Sequence, residues 1–236
     1  EIASCLVGSE MCIRDRYTDM PFVLMLDEDE NGYKAGRFLR ASDLGIKSEN
    51  GEWKPVIHDA ISHRLVVPNG TMGQRWEEGK QWNLKLETED GSKIDPALSV
   101  AEEDYELQTI QFPYFDSQGD GIFERPIPTK KVKLADGKEV RIATVYDLMV
   151  SQYGIKRFGH ELEAKSYEDS ESKYTPAWQE NVTGIKQELV TQVAREFAQN
   201  AIDTKGRSMI IMGAGINHWF NSDTIYPVSY THLRAH

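Results

Sequence analysis

The chain has 236 residues, and its 38 acidic side chains outnumber 27 basic ones, which gives a formal net charge of −11 at pH 7. So acidic a chain repels a phosphate backbone, which argues against binding to nucleic acid. Because no apolar run approaches the roughly 20 residues of a membrane-spanning helix, no direct membrane span is predicted.

The two ends of the chain encode each other. One DNA sequence that encodes Val7–Asp15 has a reverse complement that encodes Val228–His236. An inverted DNA repeat read through in frame explains this relation, and it resembles a transposon-type sequencing adapter. We therefore expect residues 1–16 and 227–236 to be non-native, adapter-encoded ends, and we exclude them from the prediction of the fold. The native part is then an internal fragment, Tyr17–Tyr226.

Both cysteines, Cys5 and Cys12, belong to these ends. The predicted native part therefore offers no thiol for a disulfide, a nucleophile or a cysteine-ligated metal. This part divides into two predicted segments, a β-rich segment over residues 17–120 and an α/β segment over residues 121–226.

Short apolar runs and turn residues predict β-structure in the first segment. Pro21–Leu26 fits either a buried strand or the tail of a helix. Asn31-Gly32 follows and favours a β-hairpin, because both residues tolerate a positive φ. The acidic residues before it imitate the start of a calcium-binding EF-hand loop. Phe38 occupies the twelfth position, where that loop needs glutamate, so the hairpin is favoured.

The β-like pattern continues from Glu52 to Leu86, and the polar, acidic stretch Glu87–Asp104 is predicted to be an exposed loop. His58 and His63 lie five positions apart in the β-like part. Two imidazoles without a third ligand indicate surface residues rather than a zinc site.

Helix signals dominate the second segment. Lys131–Ile142 predicts a hairpin around Gly137, after which Thr144 is placed to cap a helix that ends near Tyr153. Thr175-Pro176 predicts the start of another helix. The clearest helix is predicted over Ile185–Gln199, where apolar residues recur along one stripe.

An apolar strand is predicted over Ser208–Met212, and a glycine-rich loop follows it. Ligands of open α/β sheets bind beyond the carboxyl ends of strands, and bare amides at glycines can donate to a pyrophosphate. The candidate cofactor-binding residues are Gly213, Ala214, Gly215, Asn217 and His218. The alternative is a plain strand-end turn in which His218 and Trp219 pack in the core. The pattern is not a dinucleotide fingerprint, because His218 occupies the third glycine position.

Seven blocks of sequence resemble the alpha (catalytic) subunit of respiratory nitrate reductase, a molybdopterin oxidoreductase of the DMSO reductase family. The blocks are Tyr17–Phe22, Gly36–Ala41, Val67–Trp76, Thr144–Leu148, Tyr174–Trp178, Ala194–Ala198 and Gly206–Trp219. They follow the family's order and span nearly all of Tyr17–Tyr226. Where the family has Arg-Gly after Tyr226, this chain has Pro227-Val228.

The resemblance implies an α/β fold, with a β-rich insertion followed by a Rossmann-like helix–strand–loop unit. It implies a molybdenum centre held by bis-molybdopterin guanine dinucleotide (Mo-bis-MGD) and a 4Fe-4S cluster. The implied reaction reduces nitrate to nitrite by two-electron oxygen-atom transfer, and the cofactor carries the difficult step. Electrons come from quinol through a haem-containing membrane gamma subunit and an iron–sulfur beta subunit. The implied location is the membrane, on its cytoplasmic side.

The resemblance also assigns roles within the site. The metal and cluster ligands of the family belong to a part upstream of Tyr17, so the fragment alone is expected to be inactive. The loop from Gly213 to His218 is expected to line the pterin or its phosphates, and His218 is the one catalytic candidate, as a proton relay.

Three other functions stay open. A nitrite oxidoreductase catalytic subunit would run the same chemistry in reverse. A plain Rossmann-type nucleotide-binding oxidoreductase would need an early glycine fingerprint and an acidic residue about 20 positions later. A non-catalytic acidic binding module would make the resemblance accidental.

Overall fold

The computed structural model describes residues 20–69, 86–101, 104–113, 121–204 and 208. Within these ranges a mixed sheet and several helices form an α/β fold, as predicted. The strands are β1 (Val23–Asp29), β2 (Gly32–Phe38), β3 (Ile57–Asp59), β4 (Arg64–Val66), β5 (Glu106–Pro113), β6 (Ile122–Lys133) and β7 (Glu139–Thr144). The helices are α1 (Val145–Gln152), α2 (Pro176–Thr183) and α3 (Gln187–Asp203), with a short 3-10 helix at Ala41–Leu44.

Five strands close into a barrel in the order β1-β2-β5-β6-β7. Strand β1 pairs antiparallel with β2 on one side and with β7 on the other. Strand β5 pairs antiparallel with β6 along its whole length, and its pairing with β2 is parallel. Because β1, β2 and β5 lie in residues 17–120 and the other two in 121–226, both segments build the same barrel.

The hairpin predicted at Asn31-Gly32 joins β1 to β2. Asp29 pairs with Gly32, and the Asp29 Oδ1 accepts a hydrogen bond of 2.9 Å from the Asn31 amide. Gly32 has φ +122°, a conformation that side chains with a Cβ rarely adopt. From Val23 onward the apolar run Pro21–Leu26 is therefore a strand, and it is not the tail of a helix.

Alternating side chains of β1 enter two different cores, as the period of two along a strand requires. Val23 and Met25 pack in one cluster, and Leu24 and Leu26 pack in the other. The first cluster also contains Leu39, Ala41, Val56, Val67 and Ile142, and the second contains Ile110, Phe112, Ile127, Ala143 and Leu148. Apolar burial on both faces of β1 ties the barrel to the residues that surround it.

The stretch Glu87–Asp104 is not the exposed loop that its polarity predicted. Ile94, Ala97 and Val100 are buried, with Val100 fully inaccessible to solvent. No helix or strand forms in the described part of this stretch, but the Asp95 and Val100 amides donate to buried carboxylates. Widely spaced apolar residues and tertiary hydrogen bonds thus bury a stretch that is acidic on average.

The β-like region from Glu52 to Leu86 forms a small two-stranded sheet, β3 with β4, in its described part. His58 lies in β3 and is buried, so its interpretation as a surface residue was wrong. His63 is exposed in the turn, as predicted. The short strand β3 packs beside the barrel through Phe22 and Ile57, which explains the burial of His58.

The predicted starts of α1 and α2 are confirmed. Thr144 accepts a hydrogen bond of 3.0 Å from the Asp147 amide at the start of α1, and Gly154, with φ +69°, follows its end. Thr175 accepts a 3.1 Å hydrogen bond from the Trp178 amide at the start of α2, with Pro176 in the first turn. None of the helices in the described ranges is both long and apolar enough to cross a bilayer.

Helix α3 begins two residues later than predicted and ends at Asp203 rather than Gln199. It buries only Ala198 and Ala201, although its apolar stripe predicted a larger buried face. Leu189 and Val193 are 53% and 56% exposed, and Ile185, just before the helix, is 49% exposed. The described residues therefore leave much of the apolar stripe uncovered.

Candidate functional site

The candidate cofactor-binding residues lie outside the described residues, which reach only to Ser208 in this part of the chain. These residues are Gly213, Ala214, Gly215, Asn217 and His218. Their arrangement and their roles stay predictions. The structure does describe α3 and Ser208, which precede the loop in sequence.

Ser208 anchors the approach to the loop. Its hydroxyl donates a 2.9 Å hydrogen bond to the Phe197 carbonyl and accepts a 2.8 Å bond from the Asn200 Nδ2. Ser208 therefore lies beside the last turns of α3.

A groove of about 420 Å³ runs along another side of α3. Its lining residues are Tyr167, Glu168, Gln187, Glu188, Thr191, Gln192, Arg195 and Glu196. A hydrogen bond with the Ser166 side chain, helped by the nearby Arg195, lowers the pKa of Glu168. Three carboxylates against one guanidinium make this groove unfavourable for nitrate or a phosphate.

Arg125 lies in the barrel wall with its guanidinium largely desolvated. Only 9% of the residue is exposed, and burial lowers the pKa of its side chain. Its Nη1 donates to the Glu124 carbonyl at 3.2 Å, and its guanidinium lies 5.0 Å from the Phe123 ring centroid. Among the described residues no acceptor faces its buried Nε. A desolvated cation with an unused donor is a candidate group for an anion.

The backbone conformation at position 154, beside this guanidinium, favours glycine. A Cβ at Gly154 would lie 3.4 Å from the Arg125 Nε and 3.5 Å from its Nη2. The residue also adopts φ +69°. Arg125 was not among the predicted site residues, yet the sequence carried a signal. Phe123, Arg125 and Ile127 alternate along β6, which predicts that all three side chains share one face.

Aromatic rings connect this part of the barrel to α2. Phe123 stacks on Phe112 at 5.6 Å and contacts Tyr174 at 5.8 Å between ring centroids. Tyr174 also packs against Tyr153 at 5.7 Å and Trp178 at 5.4 Å. Burial raises the pKa of Tyr153. Tyr174 has φ +70°, so packing holds a strained backbone at this junction.

A buried carboxylate holds a second junction, below α1. Asp147 is fully buried and accepts hydrogen bonds from the Ser99 hydroxyl at 2.7 Å, the Val100 amide at 2.9 Å and the Arg157 Nη1 at 2.8 Å. The Arg157 Nη2 also donates to the Ser99 hydroxyl at 2.9 Å. These bonds join α1 to two loops. Because the Asp147 carboxylate and the Arg157 guanidinium bond to each other and to the loops, we assign the pair a structural role.

The described residues do not form a metal centre. No group of three or more histidine, cysteine, aspartate or glutamate residues within the described ranges is arranged to hold a metal ion. The Asp29 carboxylate of the EF-hand-like stretch pairs with the Lys34 ammonium at 2.8 Å.

Comparison with known proteins identifies relatives by sequence, although no family model matches the chain. The nitrate reductase alpha chain of Bacillus subtilis (strain 168) is 51% identical over 212 residues, and the respiratory nitrate reductase 1 alpha chain of Escherichia coli (strain K12) is 40% identical over 224 residues. The nitrate reductase alpha subunit of Mycobacterium tuberculosis (strain CDC 1551 / Oshkosh) is 41% identical over 222 residues.

Each of these matches covers 89% of the chain. The chain in turn spans only 17% to 18% of the length of these relatives. Identity of this extent, over nearly the whole chain and against several such proteins, confirms the resemblance seen in the sequence blocks. The chain therefore corresponds in sequence to a part of the respiratory nitrate reductase alpha chain.

Proposed function

We propose that the parent of this chain is the catalytic subunit of a membrane-bound respiratory nitrate reductase. It reduces nitrate to nitrite by two-electron oxygen-atom transfer at Mo-bis-MGD, with electrons that come from quinol. The observation that supports this proposal is the 51% identity over 212 residues to a nitrate reductase alpha chain. The molybdenum cofactor supplies the oxygen-atom transfer when it is bound.

This chain contributes a support for the cofactor rather than its ligands. The described residues do not fit a metal centre, because they contain no suitable cluster of ligating side chains. The contribution we propose is the loop from Gly213 to His218, whose amides and polar side chains bind the pterin or its phosphates. His218 is the candidate for moving a proton. The fragment alone is expected to be inactive.

The parent works with partners. We propose an iron–sulfur beta subunit and a haem-containing membrane gamma subunit, together with the 4Fe-4S cluster of the alpha subunit itself. The relatives are named as alpha chains or subunits, which supports a multi-subunit enzyme. Membrane association then comes through the gamma subunit, with the alpha subunit on the cytoplasmic side.

The other functions have less support. Nitrite oxidation is not favoured, because the relatives described above are reductases by name. A plain Rossmann-type enzyme and an acidic binding module both require the resemblance to be accidental, which the identity over 89% of the chain makes untenable.

The division of the chain is also a proposal. The ends, residues 1–16 and 227–236, are non-native, and the β-rich and α/β segments meet at residues 120 and 121. The share of the chain that matches the relatives equals the share between Tyr17 and Tyr226, which supports the assignment of the ends.

A chimera tests the proposed function in an intact enzyme. Residues Tyr17–Tyr226 replace the matching part of the Bacillus subtilis nitrate reductase alpha chain, and the complex is assayed for nitrate reduction with a quinol donor. We expect the chimera to reduce nitrate. A chimera that assembles with its full metal content yet oxidises nitrite and does not reduce nitrate would overturn the proposal in favour of the reverse reaction.

Two substitutions in the same chimera test the loop. We expect Asn217→Ala and His218→Ala to lower molybdenum content or turnover, because each removes a polar group that faces the cofactor. His63→Asn is the matched control, since this exposed histidine lies in the β3–β4 turn and asparagine tolerates its φ of 54°. Unchanged metal content and turnover in both loop variants would favour a packing role for the loop.

A further inference from the structure

Arg125 presents an unused pair of hydrogen-bond donors. Its Nη1 donates to the Glu124 carbonyl at 3.2 Å. Within the described part of the chain, neither its Nε nor its Nη2 donates a hydrogen bond, and the Nε is buried. These two nitrogens form one edge of the planar guanidinium, and their N–H bonds run nearly parallel. An edge of this kind matches the two oxygens of a carboxylate.

The charge of this guanidinium is not neutralised by an ion pair with any described carboxylate. Asp169 acts on the charge without bonding to it, and its oxygens accept hydrogen bonds from the Lys165 and Glu171 amides. Arg157, by contrast, bonds directly to the Asp147 carboxylate at 2.8 Å. Because a buried charge without a partner costs free energy, the state of Arg125 indicates an anion that completes the site.

Gly154 leaves room beside the unused edge. A Cβ at this position would lie 3.4 Å from the Arg125 Nε, 3.5 Å from its Nη2 and 3.7 Å from the Ala164 Cβ. These are ordinary contact distances, so the space holds a group the size of a methyl or an oxygen atom. The space is nearly equidistant from the two nitrogens, which lets an acceptor approach both of them.

A second cation adds positive charge at the same place. The Arg125 guanidinium lies 5.0 Å from the centroid of the Phe123 ring, and the Lys173 Nζ lies 5.7 Å from that centroid. Two cations therefore flank one aromatic ring in a chain whose net charge is −11. This local concentration of positive charge attracts an anion.

We propose that the Nε–Nη2 edge of Arg125, with the space beside Gly154, binds a carboxylate or another small planar oxyanion. Two parallel N–H···O bonds satisfy both donors and offset the burial of the charge. Two sources supply this chemistry, namely a free anion and an acidic side chain from the rest of the parent subunit. The second source exists because the chain spans only 17% to 18% of its relatives' length. The inference goes beyond the proposed function and does not depend on it.

Formate tests the edge directly, because it is the smallest carboxylate. It replaces chloride at constant ionic strength in a solution of the 236-residue chain, and proton–nitrogen NMR follows the arginine Nε–H signals and the Gly154 amide. We expect one arginine signal and the Gly154 amide to shift saturably with formate. Chloride should not produce this shift, since it does not offer two oxygens. No saturable shift with formate, or an equal response to chloride, overturns the proposal.

A lysine substitution locates the binding. Arg125→Lys keeps the charge but removes the paired donors, so formate binding should weaken at least about tenfold. The shifting arginine signal should also disappear, which identifies it as that of Arg125. Arg141→Lys is the matched control, because the Arg141 guanidinium already bonds to Glu106, and formate binding should stay unchanged. Unchanged binding in Arg125→Lys contradicts the proposal.

A pair of glycine substitutions serves if Arg125→Lys does not fold. Gly154→Ala fills the space beside the edge and should weaken formate binding at least about tenfold. Gly159→Ala is the matched control, because its φ of +70° almost equals the +69° of Gly154 and no described atom lies within 4 Å of its Cβ position. Both variants therefore carry the same backbone strain. Equal formate affinities in the two variants overturn the proposal.

Thermal unfolding of the chimera with the Bacillus subtilis chain distinguishes the two sources. If a free anion is the ligand, formate raises the unfolding midpoint and Arg125→Lys removes the rise. If an acidic side chain is the ligand, formate has no effect, and Arg125→Lys lowers the midpoint more than Arg141→Lys does. If formate has no effect and the two lysine variants unfold alike, the site does not exist in the intact subunit.

Discussion

Asp59 and Asp147 show how single carboxylates hold long loops against the barrel. Asp59 accepts hydrogen bonds from the Asp95 amide at 2.7 Å and the Ser62 amide at 2.9 Å, and Asp147 accepts from the Val100 amide at 2.9 Å. Both aspartates are almost fully buried. The stretch between Glu87 and Asp104 is thus fixed by side chains that lie far from it in sequence.

Asp147→Ala should lower the free energy of unfolding by about 3–5 kcal/mol, because it leaves the largely buried Arg157 without its carboxylate. Unfolding by urea measures the loss. Glu106→Ala is the matched control, since it removes a carboxylate paired with Arg141 from the protein surface. Its effect should be much smaller. Equal losses in the two variants would show that the buried Asp147–Arg157 pair stabilises the fold no more than a surface pair does.

Asp59 should make the free energy of unfolding depend on pH in the acid range. Burial alone would raise the pKa of its carboxyl, but hydrogen bonds from the Ser62 side chain and from the amides of Asp95, Ser62 and Ile61 outweigh burial and lower it. A lowered pKa contributes stability that is present above the unfolded value of about 4 and is lost as pH falls through the folded value.

Urea unfolding between pH 3 and pH 7 tests this dependence. Asp59→Asn should be less stable than the original chain at pH 7, and the difference between them should shrink as the pH falls below about 4. A difference that stays constant over this range would show that the carboxylate does not titrate with folding.

At this scale, local hydrogen bonds were predictable and distant ones were not. Thr144 and Thr175 cap helices as their neighbouring residues indicated. The same pattern suggested that Asp147 would serve the cap at Thr144, yet its carboxylate bonds mainly to Ser99, Val100 and Arg157. Those partners lie on other loops, so no local pattern contains them. Arg125 was missed for a related reason, because its burial depends on the closed barrel.

At the scale of the elements, the N-cap of α1 joins two parts of the fold. The Thr144 hydroxyl accepts from the Asp147 amide at 3.0 Å and donates to the Leu98 carbonyl at 2.7 Å. Thr144 is also the last residue of β7, which pairs with Val23 of β1. A single side chain therefore connects a strand end, a helix start and a buried loop.

Thr144→Val should lower the free energy of unfolding by about 1–2 kcal/mol, because it keeps the shape of the side chain but removes both hydrogen bonds. Thermal or urea unfolding measures the change. Thr183→Val, at the exposed end of α2, is the control and should have a smaller effect. If Thr144→Val loses no more free energy of unfolding than Thr183→Val, the buried hydroxyl contributes nothing to stability.

Hairpins and helix starts were predictable because their signals lie within a few residues. The turn at Asn31-Gly32 and the turn around Gly137 both form as the sequence indicated. The exposed stripe of α3 was not predictable. Helical periodicity shows which side chains share a side of α3, but it does not say what covers that side. The same limit applies to Glu87–Asp104, where average polarity concealed the buried Val100.

At the scale of the whole molecule, the barrel makes both segments depend on each other. Strand β1 pairs with β7, and β5 pairs with β6 from Glu106↔Thr129 to Pro113↔Ile122. The sequence predicted these strands only in part, and it did not predict the barrel, because closure and the parallel pairing of β2 with β5 have no local signature. The α/β class was predictable from the resemblance of the sequence blocks to a known family.

A chain divided between Pro113 and Gly121 should show this dependence. Each half alone should lack a stable barrel, because it loses the partner of at least one strand. Together the halves should associate through the paired β5 and β6 and recover the circular dichroism of the intact chain. A tag on one half measures association by co-purification. Independent folding of either half would contradict a barrel built jointly.

The pairing of Val23 with Thr144 has a consequence for synthesis. At about 5–20 residues per second, the ribosome completes β7 on the order of ten seconds after β1. During that interval the hairpin of β1 and β2 has an open edge whose apolar residues, including Leu24 and Leu26, lack their neighbours. Such an edge invites pairing with other nascent chains. Yield in cells should therefore depend on chaperones that bind the emerging amino-terminal hairpin.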